Sequence, residues 1–419
     1  MTLDLSENMT VVVGVNGAGK STVLDALAIL FSWAVARIRR PGSPGKPIAD
    51  LDINNQSHGC SIDLHLSDNN TDYRWFVTKY KRGHRRGLKS HLGGASRFAG
   101  TIRAQITQMN EQCSIPLFAY YPVNRSVLEI PLRVKQKHTF DLLNAYEGAL
   151  ESGASFKLFF EWFRNREDLE NENRKYVGKE SKPDRWELPD RQLEAVRKAL
   201  EAFLPDFSDF SVKRNQLRMV VNKAGEELRV NQLSDGEKCL IAMIGDLARR
   251  LAIANPTREA PLGGAGIVLI DEIDLHLHPS WQRMVVPKLS DVFPNCQFVV
   301  STHSPQVLGE IEGRYIRCLY PDPEKGLCAF IPEQALGLDS NEVLAELMQT
   351  RVRDEEVTQE LEEVFQLIGN ERFSIARKRI KGLKDRLNGS IPELVRADAL
   401  ITMLEPPLAS EGPGQDVDK

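Results

Sequence analysis

The chain has 419 residues, 42% hydrophobic and 27% charged, and its 54 Lys+Arg against 58 Asp+Glu leave a formal charge of −4. That length predicts about two to three structural units with room for a large core, which excludes a disulfide-stapled miniprotein. The near balance of charge neither supports nor excludes a nucleic-acid partner, and the longest apolar run, Ala26 to Ala36, is shorter than the roughly 20 residues a membrane span needs.

At the start, Asp4 and Glu7 stand where a secretory leader would be basic, so the expected compartment is the cytoplasm, with no membrane partner. Met9 to Val13 is an unbroken apolar run, as suits a strand buried on both faces of a parallel sheet. Gly14 to Ser21 follows as a loop, and Thr22 to Ile38 has helical spacing. Cys60 to Leu66 and Tyr73 to Lys79, joined by the polar Ser67 to Thr71, predict an antiparallel hairpin. Lys81 to Ser96 is basic and glycine-rich; a surface loop and a phosphate-contacting loop both stay open. Pro116 to Tyr121 is a further strand.

From Asp141 to Asn173 the pattern is helical, with Phe156, Phe159, Phe160 and Phe163 on one face as core. The charged stretch Arg164 to Trp186 is expected to be an exposed loop, and Leu188 to Phe203 a helix closed by Pro205. Strands follow near Phe210 to Val212, Arg218 to Val221 and Leu228 to Val230, then at Ile267 to Ile270 and Gln297 to Val300, with weaker ones near Tyr315 and Leu327. Asn341 to Leu404 is helical throughout, and Glu405 to Lys419 has the composition of a disordered tail. The six cysteines form no CxxC pair and are expected to be reduced thiols.

Four segments carry chemistry. Gly14 to Ser21 fits GxxxxGK[ST] between a strand and a helix: Asn16, Gly17, Ala18 and Gly19 offer backbone N–H groups to phosphates, Lys20 neutralises them, Ser21 can ligate Mg²⁺, and Thr22 continues the helix start. Leu233, Ser234, Asp235, Gly236 and Glu237 include a capping box, so a helix begins here with an anion-receiving end. The apolar run to Ile270 ends in Asp271, a metal-holding carboxylate, and Glu272, which can orient or deprotonate water. His303, directly after a strand in Ser301-Thr302-His303-Ser304, is placed to sense the terminal phosphate and the attacking water. His276 and His278, spaced i,i+2 without a third ligand, argue against a metal site of their own.

Together with YYPVNRSV, FFEWFRNREDLEN, DLARRLAIANP, IVLIDEIDLHLHPSWQR and FPNCQFVVSTHSPQVL, these motifs resemble the PtuA-type ATPases of bacterial anti-phage systems, Septu and some retrons, within the RecF/SMC-like branch of ATP-binding-cassette ATPases. The resemblance covers about Leu3 to Leu404. It implies an α/β P-loop fold: a mixed or parallel core sheet, an antiparallel β subdomain, a helical insertion and a helical C-terminal extension. It implies ATP and Mg²⁺, a homodimer or higher oligomer in which Ser234 to Glu237 of one copy complete the site at Lys20 of another, and Asp274 as the D-loop coupling the two sites. Glu272, His303 and Lys20 take the catalytic roles. The implied partners are an HNH endonuclease of PtuB type and, in a retron, a reverse transcriptase with its small DNA; DNA is a further expected ligand.

The expected division is 1–140 for an N-terminal ATPase lobe, 141–209 for a helical insertion, 210–339 for a C-terminal lobe, 340–404 for a helical extension and 405–419 for the tail. The chain begins only a few residues before the Gly14 strand, so the upstream strand with an adenine-stacking side chain is expected to be absent or to precede this start. Gln56 and the Asn124-Arg125 neighbourhood compete as the Mg²⁺-sensing Q-loop. Without heptad arms a DNA-tethering rod is excluded, and no DxD-bearing TOPRIM-like segment follows His303. Two other readings stay open: a nucleotide-stabilised scaffold or inhibitor with little hydrolysis, and a RecF-like DNA-repair ATPase.

Overall fold

The computed structural model describes all residues except 69, 85–86, 124–139, 152, 178–188, 323, 325 and 406–419. It divides into two compact units, Met1–Met348 and Gln349–Lys419.

The first unit opens with β1 (Met9–Gly14), every residue buried, and α1 (Lys20–Arg39), which starts two residues earlier than the sequence pattern suggests. By length and composition α1 could cross a membrane, but its Leu24, Leu27, Phe31, Ala34 and Ile38 are packed into the core. The hairpin β2 (Gly59–Asp68) and β3 (Thr71–Tyr80) is as expected. The basic loop is shorter than read: His91 pairs back onto Phe76, and α2 (Gly93–Gln108) begins within it. Glycines hid this helix. Tertiary packing outweighs their propensity cost, because Ala95, Phe98, Ala99 and Ile102 form a buried face and Gly94 lies where a Cβ would overlap the Arg74 carbonyl.

After β4 (Leu117–Tyr121), the expected helix from Asp141 is instead a short 3-10 turn at Leu142–Tyr146, and α3 spans Phe156–Asn173. Its charged end corrects the loop expected from Arg164. Glu167 and Glu170 are buried because Arg197 and Arg214 pair with them, at 3.2 Å for Arg197–Glu170 and 2.5 Å for Arg214–Glu167. Polar composition here records ion pairs, not solvent. Asp190, held by Arg166 at 2.6 Å, caps α4 (Arg191–Phe203). Strands β5 (Phe207–Lys213), β6 (Arg218–Lys223) and β7 (Glu226–Arg229) form a separate antiparallel sheet; Val230 belongs to the 3-10 turn after it rather than to the strand.

Then come α5 (Asp235–Ala254), β8 (Gly266–Ile270), α6 (Pro279–Val292), β9 (Cys296–Ser301), the single turn α7 (Pro305–Leu308), β10 (Ile316–Asp322), β11 (Gly326–Phe330) and α8 (Ser340–Glu346). The main sheet has the order β11-β10-β1-β9-β8-β4, parallel except for β11. This is the α/β core with an antiparallel accessory sheet. The six cysteines are free thiols.

The second unit is three helices, α9 (Glu355–Gly369), α10 (Phe373–Leu387) and α11 (Pro392–Leu404). Leu361, Val364, Ile380, Leu383, Leu394 and Ile401 make its own core. The expected tail lies almost wholly outside the described residues.

Candidate nucleotide site

In the main sheet β9 lies between β1 and β8, all parallel, so the chain segments leaving their carboxyl ends meet along one edge. Lys20, Asp271 and His303 come from those three ends.

The loop after β1 needs glycine at two left-handed positions, Gly17 at φ 81° and Gly19 at φ 84°. Asn16 and Gly17 are exposed, Ala18 is buried, and Ser21 and Thr22 stand exposed in the first turn of α1. Lys20 folds back into the loop: its Nζ donates to the carbonyls of Gly14 at 3.0 Å and Val15 at 3.3 Å. Burial pushes its ammonium below the usual lysine range, while Asp271, Glu272 and Asp274 pull it back up. One amine therefore shares this edge with three carboxylates.

Asp271 is buried, and its Oδ1 accepts the Ser301 hydroxyl. Ser301 Oγ also accepts the Glu272 N–H at 2.8 Å, so one serine fixes both acids. Glu272 is left-handed at φ 47°, a costly conformation for a residue with a Cβ. Asp274 Oδ1 accepts from Thr302 Oγ1 at 2.5 Å and from the His303 N–H at 3.3 Å. Gln282 extends the cluster, donating to the carbonyls of Asp274 and Leu277 and accepting Ser304 Oγ at 2.7 Å. Sequence reasoning gave Gln282 no role, although it sits inside a quoted motif as Ser301 and Thr302 do; the task of all three is visible only in space.

The Leu233–Glu237 segment is carried by another element, the start of α5. Ser234 caps α5 as expected: Glu237 Oε2 accepts the Ser234 N–H at 2.7 Å and its hydroxyl at 2.8 Å. Leu233 is buried, whereas Ser234 and Asp235 face solvent. Gly236 packs on the backbone at His276, where a Cβ would overlap the carbonyl oxygen. The start of α5 and the turn carrying Asp274 are thus in contact within one chain.

Gln56 lies exposed in the turn before β2, and Asn124-Arg125 fall outside the described residues. Among the described residues no three His, Cys, Asp or Glu converge as metal ligands; His278 instead caps α6. A cavity of about 320 Å³ opens at the opposite end of β1 and β9, between Met9, Val286, Pro294, Cys296, Ile311 and Tyr315, and takes no part in this cluster.

A family model described as "AAA domain" matches residues 1–208, and one described as "AAA domain, putative AbiEii toxin, Type IV TA system" matches 130–309. The chain is 31% identical to "Retron Ec83 probable ATPase" of Escherichia coli, over 89% of this chain and 78% of that one. The chain belongs to the PtuA/retron-type ATPase family. It is also 32% identical to "Retron Vc95 probable ATPase" of Vibrio cholerae serotype O1 biovar El Tor, over 75% of this chain and 69% of that protein. Identity to "Septu protein PtuA" of Bacillus thuringiensis is 24%, over 73% of this chain and 68% of that one. Among solved structures, the SMC head domain from Thermotoga maritima matches at TM-score 0.41 and 13% identity, over 79% of this chain and 92% of that chain. This family member is an ATPase with a nucleotide-binding P-loop.

Proposed function

We propose that this retron-type ATPase works as a head-to-tail dimer in an anti-phage complex, each copy lending Ser234 to Glu237 to the triphosphate held at Lys20 of the other, and that its ATP cycle controls a partner HNH endonuclease. The observation that carries the reading is that the two halves of the site stand on different elements, with Ser234 exposed. The electrostatic partners of Lys20 are Asp271, Glu272 and Asp274, while Ser234 stands solvent-facing at the start of another helix. A second copy joins them.

Asp271, Glu272 and Asp274 act electrostatically on Lys20, and carboxylates at such an edge suit a divalent cation. Ser21 and Asp271 supply the hard oxygen donors for it, and the family's Mg²⁺ usually keeps few protein ligands. Mg²⁺, when bound, neutralises phosphate charge. Lys20 releases the Gly14 and Val15 carbonyls to reach the phosphates, and the loop's N–H groups face them. Glu272 holds the water and takes its proton as the water oxygen bonds to the terminal phosphorus and the bond to ADP breaks. His303, placed by Asp274, contacts the same phosphate. A dimer that closes on ATP and opens after hydrolysis gives the nuclease a timed signal.

The test is Glu272→Gln, with Ser234→Arg as its partner variant, in ATP and Mg²⁺. Glu272→Gln is expected to bind ATP, lose turnover and accumulate as a dimer by light scattering; Ser234→Arg is expected to stay monomeric. Unchanged turnover in Glu272→Gln removes the catalytic assignment, and ATP-driven dimers of Ser234→Arg remove the sandwich. Co-expression with the HNH protein tests the partner: a complex whose nuclease activity ignores Glu272→Gln overturns the control.

A further inference from the structure

The sandwich asks the start of α5 to receive a triphosphate, yet that first turn carries Asp235 and Glu237. Carboxylates there suit the helix dipole but repel an arriving anion. Glu237 is nearly buried and is gripped from two sides. Its Oε2 accepts both the N–H and the hydroxyl of Ser234, and its Oε1 lies 2.6 Å from Lys223 Nζ. Lys223 ends β6 in the separate antiparallel sheet, pairs with Phe207 across β5, and holds its ammonium 5.3 Å above that ring.

We propose that Lys223 is a positioning residue for the nucleotide sandwich: it neutralises and aims the Glu237 carboxylate, so that Ser234 and the helix start remain an anion receptor. This rests on the dimer reading above. Burial alone would raise the Glu237 pKa; bonds from Lys223 and Ser234 outweigh it and hold the carboxyl below the usual glutamate range. Without the ammonium, a negative charge beside Ser234 faces the incoming phosphate directly. The accessory sheet thereby becomes part of the trans half of the site, although no motif marks it.

The experiment uses the full chain in the Glu272→Gln background, reading the ATP concentration for half-maximal dimerisation, fluorescent-nucleotide binding at monomer concentrations, and the thermal midpoint. Lys223→Met is expected to raise the half-maximal ATP about tenfold, the scale of one lost charge partner at an interface, with monomer nucleotide binding retained. Lys223→Arg is expected to dimerise as the parent does. Adding Glu237→Gln to Lys223→Met is expected to restore dimerisation, since a neutral amide still accepts from Ser234 and no longer repels phosphate. Parent-like dimerisation by Lys223→Met, or a double variant as impaired as the single, overturns the proposal; so does loss of monomer binding in step with dimerisation, which marks a purely structural role. Ser234→Arg separates the two failures. If it dimerises normally the sandwich itself is wrong; if it fails while Lys223→Met is normal, only the role of Lys223 is wrong.

Discussion

Asp274 and Thr302 share a 2.5 Å hydrogen bond, carboxylate Oδ1 to hydroxyl, and the same carboxylate oxygen accepts the N–H of His303. The turn after β8 therefore sets where the segment after β9 begins. Through Gly236, that turn also touches the start of α5.

Asp274→Ala and Thr302→Val are each expected to lower kcat about ten- to a hundredfold, the scale of a lost positioning contact. Nucleotide binding to the monomer is expected to persist, because the Lys20 loop is built from β1 and α1. Since both changes remove one interaction, the double variant should be no worse than the poorer single by more than about twofold. Steady-state turnover beside nucleotide titration checks this, and additive losses would contradict a shared role.

Gly236→Ala tests the contact between the α5 start and the His276 backbone. The added methyl overlaps the carbonyl oxygen, which belongs to a turn already held by Asp274 and Gln282. Forced separation should cost about 1–3 kcal/mol, as overpacking does, and reduce turnover along with it. Denaturant midpoints and ATPase rates measure the two effects. A fully stable, fully active variant would show that the turn yields freely.

Much of this architecture was legible because its signals are local. The run from Met9, the glycine spacing to Lys20 and the Ser234–Glu237 capping box each need only neighbouring residues, and each lies where expected. Two helices were misread where tertiary partners decide. The first turn of α2, Gly93 to Ser96, looks like a loop until Arg74 and the β3 face are beside it, and the acids of α3 look solvated until Arg197 and Arg214 arrive from 30 and 47 residues downstream. Gln282 and Lys223 were invisible for the same reason: each acts on a residue from a different element.

Lys20→Ala removes the ammonium on which Asp271, Glu272 and Asp274 act, as well as the phosphate partner. Nucleotide affinity should fall at least about a hundredfold, the loss expected for a charge that neutralises phosphate in a shielded site. A thermal shift assay reads it directly: ligand at 100 times Kd stabilises by about 2.7 kcal/mol, and that shift should vanish in the variant. A retained nucleotide shift would place the triphosphate elsewhere.

Asp246, wholly buried on α5, accepts from Arg249 and Arg250 at 2.7 Å each and from the Tyr121 hydroxyl at 3.1 Å, while the Tyr121 carbonyl accepts the Asp271 N–H at 2.9 Å. This ties the helix that begins at Ser234 to the strand beside Asp271. Burial alone would raise the Asp246 pKa, but Arg250 and Arg249 outweigh it and hold the carboxyl below its ordinary 3.8. Because the folded value is the lower one, the stabilisation is complete above 3.8 and is lost as pH falls through the folded value. Asp246→Asn should destabilise the protein at neutral pH by about 3–5 kcal/mol, since two buried guanidinium groups lose the carboxylate they share. Urea unfolding of both proteins between neutral pH and the acid range checks the sign: the gap should be widest at neutral pH and close in acid. A gap that widens with acid would mean the carboxyl is protonated in the native state.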